Sequence, residues 1–141
     1  GTDTGTDTGT DTGTDTGTDT VEIYISSVQF DSPGTDDHTN ENINGEWVKI
    51  TNSGSNSVDM TGWRLVDTKG HGKDKTQFDG FILASGATVT VHTGNGQNSD
   101  TDRYMGYNAY IWNNDGDTAI LKDSNGNIVD QKTCNQGSCK Y

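Results

Sequence analysis

Short runs of β-branched and aromatic residues alternate with clusters of Gly, Asn and Asp over most of this chain, and no window carries apolar residues at three-and-four spacing through three helical turns. That pattern leaves strands as the only elements able to build a core. The runs fall at 21–30, 46–51, 58–60, 63–67, 77–83, 88–92, 109–112, 118–122 and 128–132. Nine short strands of this kind predict an all-β sandwich of two packed layers.

Alternation assigns the faces. In "EWVKI", Val48 and Ile50 share one side and Trp47 and Lys49 the other; in "TAILKD", Ala119 and Leu121 oppose Thr118 and Ile120. "DSNGN" contains Asn-Gly, the signature of a type I′ hairpin turn, so the last two strands are expected to pair. Two connections, 31–45 and 93–108, are longer than a hairpin needs, and loops of that length in a compact domain are uncommon unless functional or mobile.

The first twenty residues are five copies of GTDT and contain no apolar side chain, so the foldable domain is 21–141 and 1–20 is an arm. Every even position of the arm is Thr: Thr2, Thr4, Thr6, Thr8, Thr10, Thr12, Thr14, Thr16, Thr18 and Thr20. Thr favours extended backbone, Gly opposes it, and nothing apolar holds the segment down, so by itself it reads as a hydrated, self-repelling spacer. Fully extended, it would span about 65 Å at ~3.3 Å per residue. Pairing with a sheet edge of another copy would order it and, being head-to-tail, would build a filament; otherwise it is a tether. Clustered threonines also suit O-glycosylation, and the chain has no Asn-x-Ser/Thr sequon.

The net charge is −12, of which Asp3, Asp7, Asp11, Asp15 and Asp19 supply five, leaving −7 on the body. Such a surface repels phosphate backbones, which disfavours nucleic acid and favours cations or basic partners. The composition also fits high salt, although seven Lys against two Arg is not the balance of an extreme halophile. The locally basic "KGHGKDK" (Lys69, His71, Lys73, Lys75) reads as a solvated hairpin tip. Cys134 and Cys139, with "NQGS" between them, suit a small disulfide loop in an oxidising compartment. No stretch resembles a membrane span, and an abrupt start at a linker suggests a chain already processed, hence an extracellular or cell-surface location with a lipid or wall tether as one means of attachment.

The phrases "NGEWVKITNSGSNSVDMTGWRLVD", "FILASGATVTVHTGNG" and "IWNNDGDTAILKDSNGNIVDQ", in that order, resemble the lamin tail domain family, in its prokaryotic secreted or surface form. The resemblance implies an immunoglobulin-like sandwich, an interaction surface in nuclear lamins and a module of secreted and surface proteins in prokaryotes, often beside hydrolases or nucleases. It implies no catalytic residue. Each phrase also has a local reason: Asn52, Ser53 and Gly54 turn the chain, Gly62 lets Trp63 enter the core, and Gly86 closes a hairpin.

For chemistry, the three histidines (His38, His71, His92) are scattered, and there is no His-Glu-x-x-His, Gly-x-Ser-x-Gly or phosphate loop, so an enzyme is not expected. Hard-cation binding has more support, because Ca²⁺ takes six to eight oxygens. Asp31, Asp36, Asp37, Asn40, Glu41, Asn42, Asn44 and Glu46 gather such oxygens in the first loop, and Asn113, Asn114, Asp115 and Asp117 in "WNNDGDT". The same residue types populate turns for conformational reasons alone. The expected function is therefore a non-enzymatic extracellular structural or interaction module. It would bind other copies of itself through the arm or a surface component as a tethered domain; the alternative is an accessory binding domain of a secreted hydrolase or nuclease, stabilised by calcium.

Overall fold

The computed structural model describes residues 22–32, 36–113 and 116–135. Among these described residues nine strands and one short helix are formed: β1 (Ile23–Gln29), α1 (Asn40–Ile43), β2 (Trp47–Asn52), β3 (Val58–Asp59), β4 (Arg64–Val66), β5 (Ile82–Leu83), β6 (Thr88–His92), β7 (Asp102–Tyr104), β8 (Gly116–Lys122) and β9 (Ile128–Asn135). One layer is a four-stranded sheet in the order β1-β2-β6-β7. The other is made by the three-stranded β4-β8-β9 sheet and the β3-β5 pair, giving an immunoglobulin-like sandwich.

The core follows from the alternation. Val48, Ile50, Val89 and Val91 point inward from the large sheet, and Leu65, Ala119 and Leu121 meet them from the other, while Trp47, Lys49, Thr118 and Ile120 stay half-buried outside. Trp63 enters the core behind Gly62, whose φ of +86° bends the chain there. Phe30 stacks on Trp112 at 4.7 Å and ties the end of β1 to the segment before β8. Asn52 is fully buried yet satisfied: its amide donates to the carbonyls of Asn56 (2.9 Å) and Leu83 (3.0 Å) and accepts from Gly54 N–H (3.0 Å).

Four expectations need correction. The segment 109–112 is not a strand, because the N–H groups of Ile111 and Trp112 turn to the Glu46 carboxylate instead of to a neighbouring strand. The run 77–83 is strand only at Ile82–Leu83; Gln77 is buried and spends its amide on the carbonyls of Leu65 (2.9 Å) and Gly72 (3.2 Å), and the backbone passes through turns to Phe81. Strand β7, within the second long connection, pairs parallel to β6 although its sequence is polar. Arg103 explains this: nearly buried, it donates to the carbonyls of Gln77 (2.7 Å) and Asp79 (3.1 Å) and lies 4.9 Å over the Phe81 ring, so a charged side chain occupies an inward position. Finally, β8 and β9 do pair, but Gly126 alone has positive φ in their connection. Asp123 Oδ1 accepts the N–H groups of Asn125 and Asn127 at 2.9 Å each, and Gly126 N–H bonds to Asp123 O, which makes a type I turn with a glycine bulge in place of type I′.

Side chains of the protein itself occupy several outward groups of the sheet edges. On β1, Ile25 N–H donates to Asp130 Oδ2 (2.7 Å); on β7, Asp102 N–H donates to Ser99 Oγ (3.1 Å) and Tyr104 N–H to Asn98 Oδ1 (2.9 Å); on β4, Leu65 O accepts from Gln77. Edges blunted in this way resist strand addition.

Candidate functional site

The two long connections meet at one end of the large sheet. Thr39 caps α1 through its hydroxyl, which accepts Asn42 N–H at 3.2 Å, and Asp37 Oδ1 holds Thr39 in turn, accepting its N–H (3.0 Å) and hydroxyl (2.7 Å). Those two bonds hold the Asp37 carboxyl below the usual carboxylate range. On α1, Asn40 and Asn44 stand one turn apart and face the other connection together. Asn40 accepts Asn95 N–H (2.8 Å) and donates to Asn95 O (2.9 Å); Asn44 accepts Gly94 N–H (2.7 Å) and donates to the same Asn95 O (3.0 Å). The approach needs glycine at 94, since a Cβ there would lie 2.6 Å from Asn44 Oδ1 and 2.7 Å from Asn40 Oδ1.

His92, at the end of β6, completes the junction. Its Nδ1 lies 3.0 Å from Asn44 O and its Nε2 2.8 Å from Asp102 Oδ1, with the ring stacked on Tyr104 at 4.9 Å. The bond from His92, then that from the Thr101 hydroxyl, lowers the Asp102 carboxyl. His38, at φ +61°, donates its N–H to the Tyr110 hydroxyl (3.1 Å), which itself donates to Asn42.

Beneath this junction lies Glu46, wholly buried. Its Oε1 accepts Ile111 N–H (3.1 Å) and Trp112 N–H (3.5 Å), whereas Oε2 has no hydrogen-bond partner among the described residues. Loss of hydration pushes its pKa up to about 8, against the lowering effect of those N–H groups and the Thr93 hydroxyl, and the charge of Asp36 pushes the same way as burial.

The proposed cation ligands are thus divided. Asn40 and Asn44 are committed to the Gly94–Asn95 backbone, Asp37 to Thr39, and Asp117 to the N–H groups of Asn113 (3.0 Å) and Thr118 (2.8 Å). Asp36 and Glu41 are exposed, Asp31 is half-buried at the end of β1, and Asp115 and Asn114 lie outside the described residues. Among the described residues, no three His, Cys, Asp or Glu side chains come close enough to share an ion. Cys134 is buried in β9, while Cys139 and the ten arm threonines lie outside the described residues.

The "KGHGKDK" stretch is solvated at Lys69 and Lys73, which are exposed, yet it is a built loop rather than a simple hairpin tip. Asp67, buried, accepts the N–H groups of Lys69 (2.9 Å) and His71 (2.8 Å) and contacts His71 Nδ1 at 2.6 Å; Gly72 N–H donates to the Tyr107 hydroxyl (2.8 Å). An Asp two residues before the first Lys is the signal that could have revealed the cap.

What this arrangement offers chemically is a stiff polar surface. Each histidine is tied to partners that orient the loops. Among the described residues no helix is long and apolar enough to cross a membrane. The sequence matches the lamin tail domain family over residues 16–136. Comparison with curated proteins gives no match.

Proposed function

The chain belongs to the lamin tail domain family, a non-catalytic immunoglobulin-like module, and from that premise we propose that it is an extracellular structural module that joins copies of itself through its Thr-rich arm. The observation that carries this reading is the junction of the two long connections. Asn40, Asn44 and His92 use their polar groups to hold loop to loop, so the end of the sandwich presents a fixed shape. A rigid body bearing a long acidic arm is suited to linking. In the same reading, Cys134 and Cys139 close the C-terminal segment in an oxidising compartment.

Sedimentation and electron microscopy of the full chain, beside a chain lacking residues 1–20, test it. Oligomers or fibres that disappear with the arm support the reading; assemblies that persist without the arm, or a full chain monomeric at every concentration, overturn it.

A second reading is an accessory binding domain of a secreted hydrolase or nuclease, stabilised by calcium. It is favoured by Glu46 Oε2, buried without a partner beneath the acidic first loop. A fall in Tm on adding a chelator, absent in Glu46→Gln, supports it, because an ion that binds only the native state stabilises it by mass action.

A further inference from the structure

On the outer face of the β4-β8-β9 sheet, Arg64 and Lys122 are direct register partners in an antiparallel pair. Side chains so placed have Cβ atoms about 5 Å apart, and like charges directly opposite one another destabilise a sheet. Lys73, from the Asp67-capped loop, lines with them an open cleft of about 270 Å³ to which Gly62 and Ser124 also contribute. A third of the nine Lys and Arg residues of an otherwise acidic chain thus surround one depression.

One carboxylate lines the same cleft: Asp123, whose Oδ1 accepts the N–H groups of Asn125 and Asn127 in the β8-β9 turn, so three cations stand there against a single anion. Among the described residues Arg64, Lys73 and Lys122 form no ion pair. Lys73 is exposed, but the backbone that carries it is fixed by the Asp67 cap, by Gly72 N–H on Tyr107, and by Gly72 itself, where a Cβ would lie 2.0 Å from Leu65 O. Arg64 gives one of its N–H groups to Trp63 O (2.9 Å) and keeps its charge, so three cations against one carboxylate leave the cleft net positive and suited to an anion.

We infer that this cleft receives the aspartates of the N-terminal arm of a second copy. This rests on the reading that the arm joins copies, and it replaces strand addition, for which the capped groups on β1, β4 and β7 give poor footing. Charge complementarity picks the occupant: the arm carries five Asp and no basic residue. Its aspartates recur every fourth residue, about 13 Å apart when extended at ~3.3 Å per residue, so each cleft seats one carboxylate while the next can serve a further contact. Reach allows the second copy: twenty residues, if extended, would span about 65 Å, more than the width of a domain whose radius of gyration is roughly 14 Å, and the choice between a second copy and the arm's own cleft is read from whether the chain assembles. Arm of one molecule into cleft of the next is a head-to-tail contact that propagates.

Two full-length variants test this. The first reverses the cleft, Lys73→Glu with Lys122→Glu; the second reverses the arm, with Asp3, Asp7, Asp11, Asp15 and Asp19 each changed to Lys. Each alone juxtaposes like charges, so its association in sedimentation at low salt should weaken at least tenfold relative to the unmodified chain. Mixed together, the two should associate, because each arm then meets a cleft of opposite sign on the other molecule; that recovery also shows both variants are folded. Raising NaCl from 50 to 500 mM should weaken association of the unmodified chain. If the cleft variant assembles like the unmodified chain while deletion of residues 1–20 abolishes assembly, the cleft assignment is wrong and the arm reading stands. If the mixture remains monomeric while the unmodified chain assembles, the cleft is not the receptor. If the unmodified chain is monomeric and the cleft instead binds an added sulfated polysaccharide, both the inference and the arm reading fall.

Discussion

Glu46→Gln is the most informative single substitution, because Glu46 is a wholly buried acid whose charge the fold disfavours. Its pKa rises from 4.5 to about 8 on folding. Between these values the native state holds a proton that the unfolded chain has released, so stability decreases as pH rises through that window. It is fully present below about 4.5 and the loss is complete above about 8. At about 1.4 kcal/mol per pKa unit the total is about 5 kcal/mol, of which about 3 has been lost by pH 7. Gln keeps the acceptor for Ile111 and Trp112 N–H and cannot ionise; its amide N–H₂ inherits the unpartnered position of Oε2, at a cost of about 1–3 kcal/mol. Urea unfolding at intervals from pH 4.5 to 8.5, in chelator so that only protons titrate, should show the unmodified protein losing stability steeply and Glu46→Gln nearly level, with the curves crossing near neutrality. Parallel curves would refute the claim that Glu46 is held neutral by its surroundings.

Other substitutions probe the frame of the same end of the molecule and the core. Trp63→Ala should cost about 3–5 kcal/mol in denaturant unfolding if the core tryptophan is as well packed as its burial indicates; a loss under about 1 kcal/mol would contradict this packing. Gly72→Ala combines a φ of +94° with a Cβ 2.0 Å from Leu65 O, so destabilisation of at least about 2 kcal/mol is expected, read as a fall in Tm. Asn44→Ala leaves Gly94 N–H without its acceptor and removes one donor to Asn95 O, so a cost of about 1–3 kcal/mol is expected. Hydrogen exchange should localise the change to residues 93–96, and uniform loss of protection across the domain would count against a local clamp.

The fold was legible where one face of a strand is apolar and the other is not. The alternation through Val48 and Ile50 and through Ala119 and Leu121 determined which side chains enter the core, since a one-residue slip would expose them all. The glycines at 62 and 86 likewise announced their turns, and both have positive φ. The connections 31–45 and 93–108 stand out in the sequence by their length, but how they meet does not.

What only the tertiary structure decided is the use of polar groups across long sequence separations. Whether Asn40 and Asn44 face an ion or the backbone of Asn95 depends on a partner more than fifty residues away, and local propensity is blind to it. Arg103 shows the same limit: a charged residue marks a segment as exposed until carbonyls at Gln77 and Asp79 and the face of Phe81 make an inward position affordable. The run at 109–112 had strand composition, but a strand also needs a neighbour, and Glu46 took its N–H groups first. Composition fixed that the domain is a β-sandwich with an acidic arm, because hydrophobic periodicity is a property of the chain alone. The juxtaposition of Arg64, Lys122 and Lys73 came from register and loop packing, which bring together residues that no sequence spacing relates.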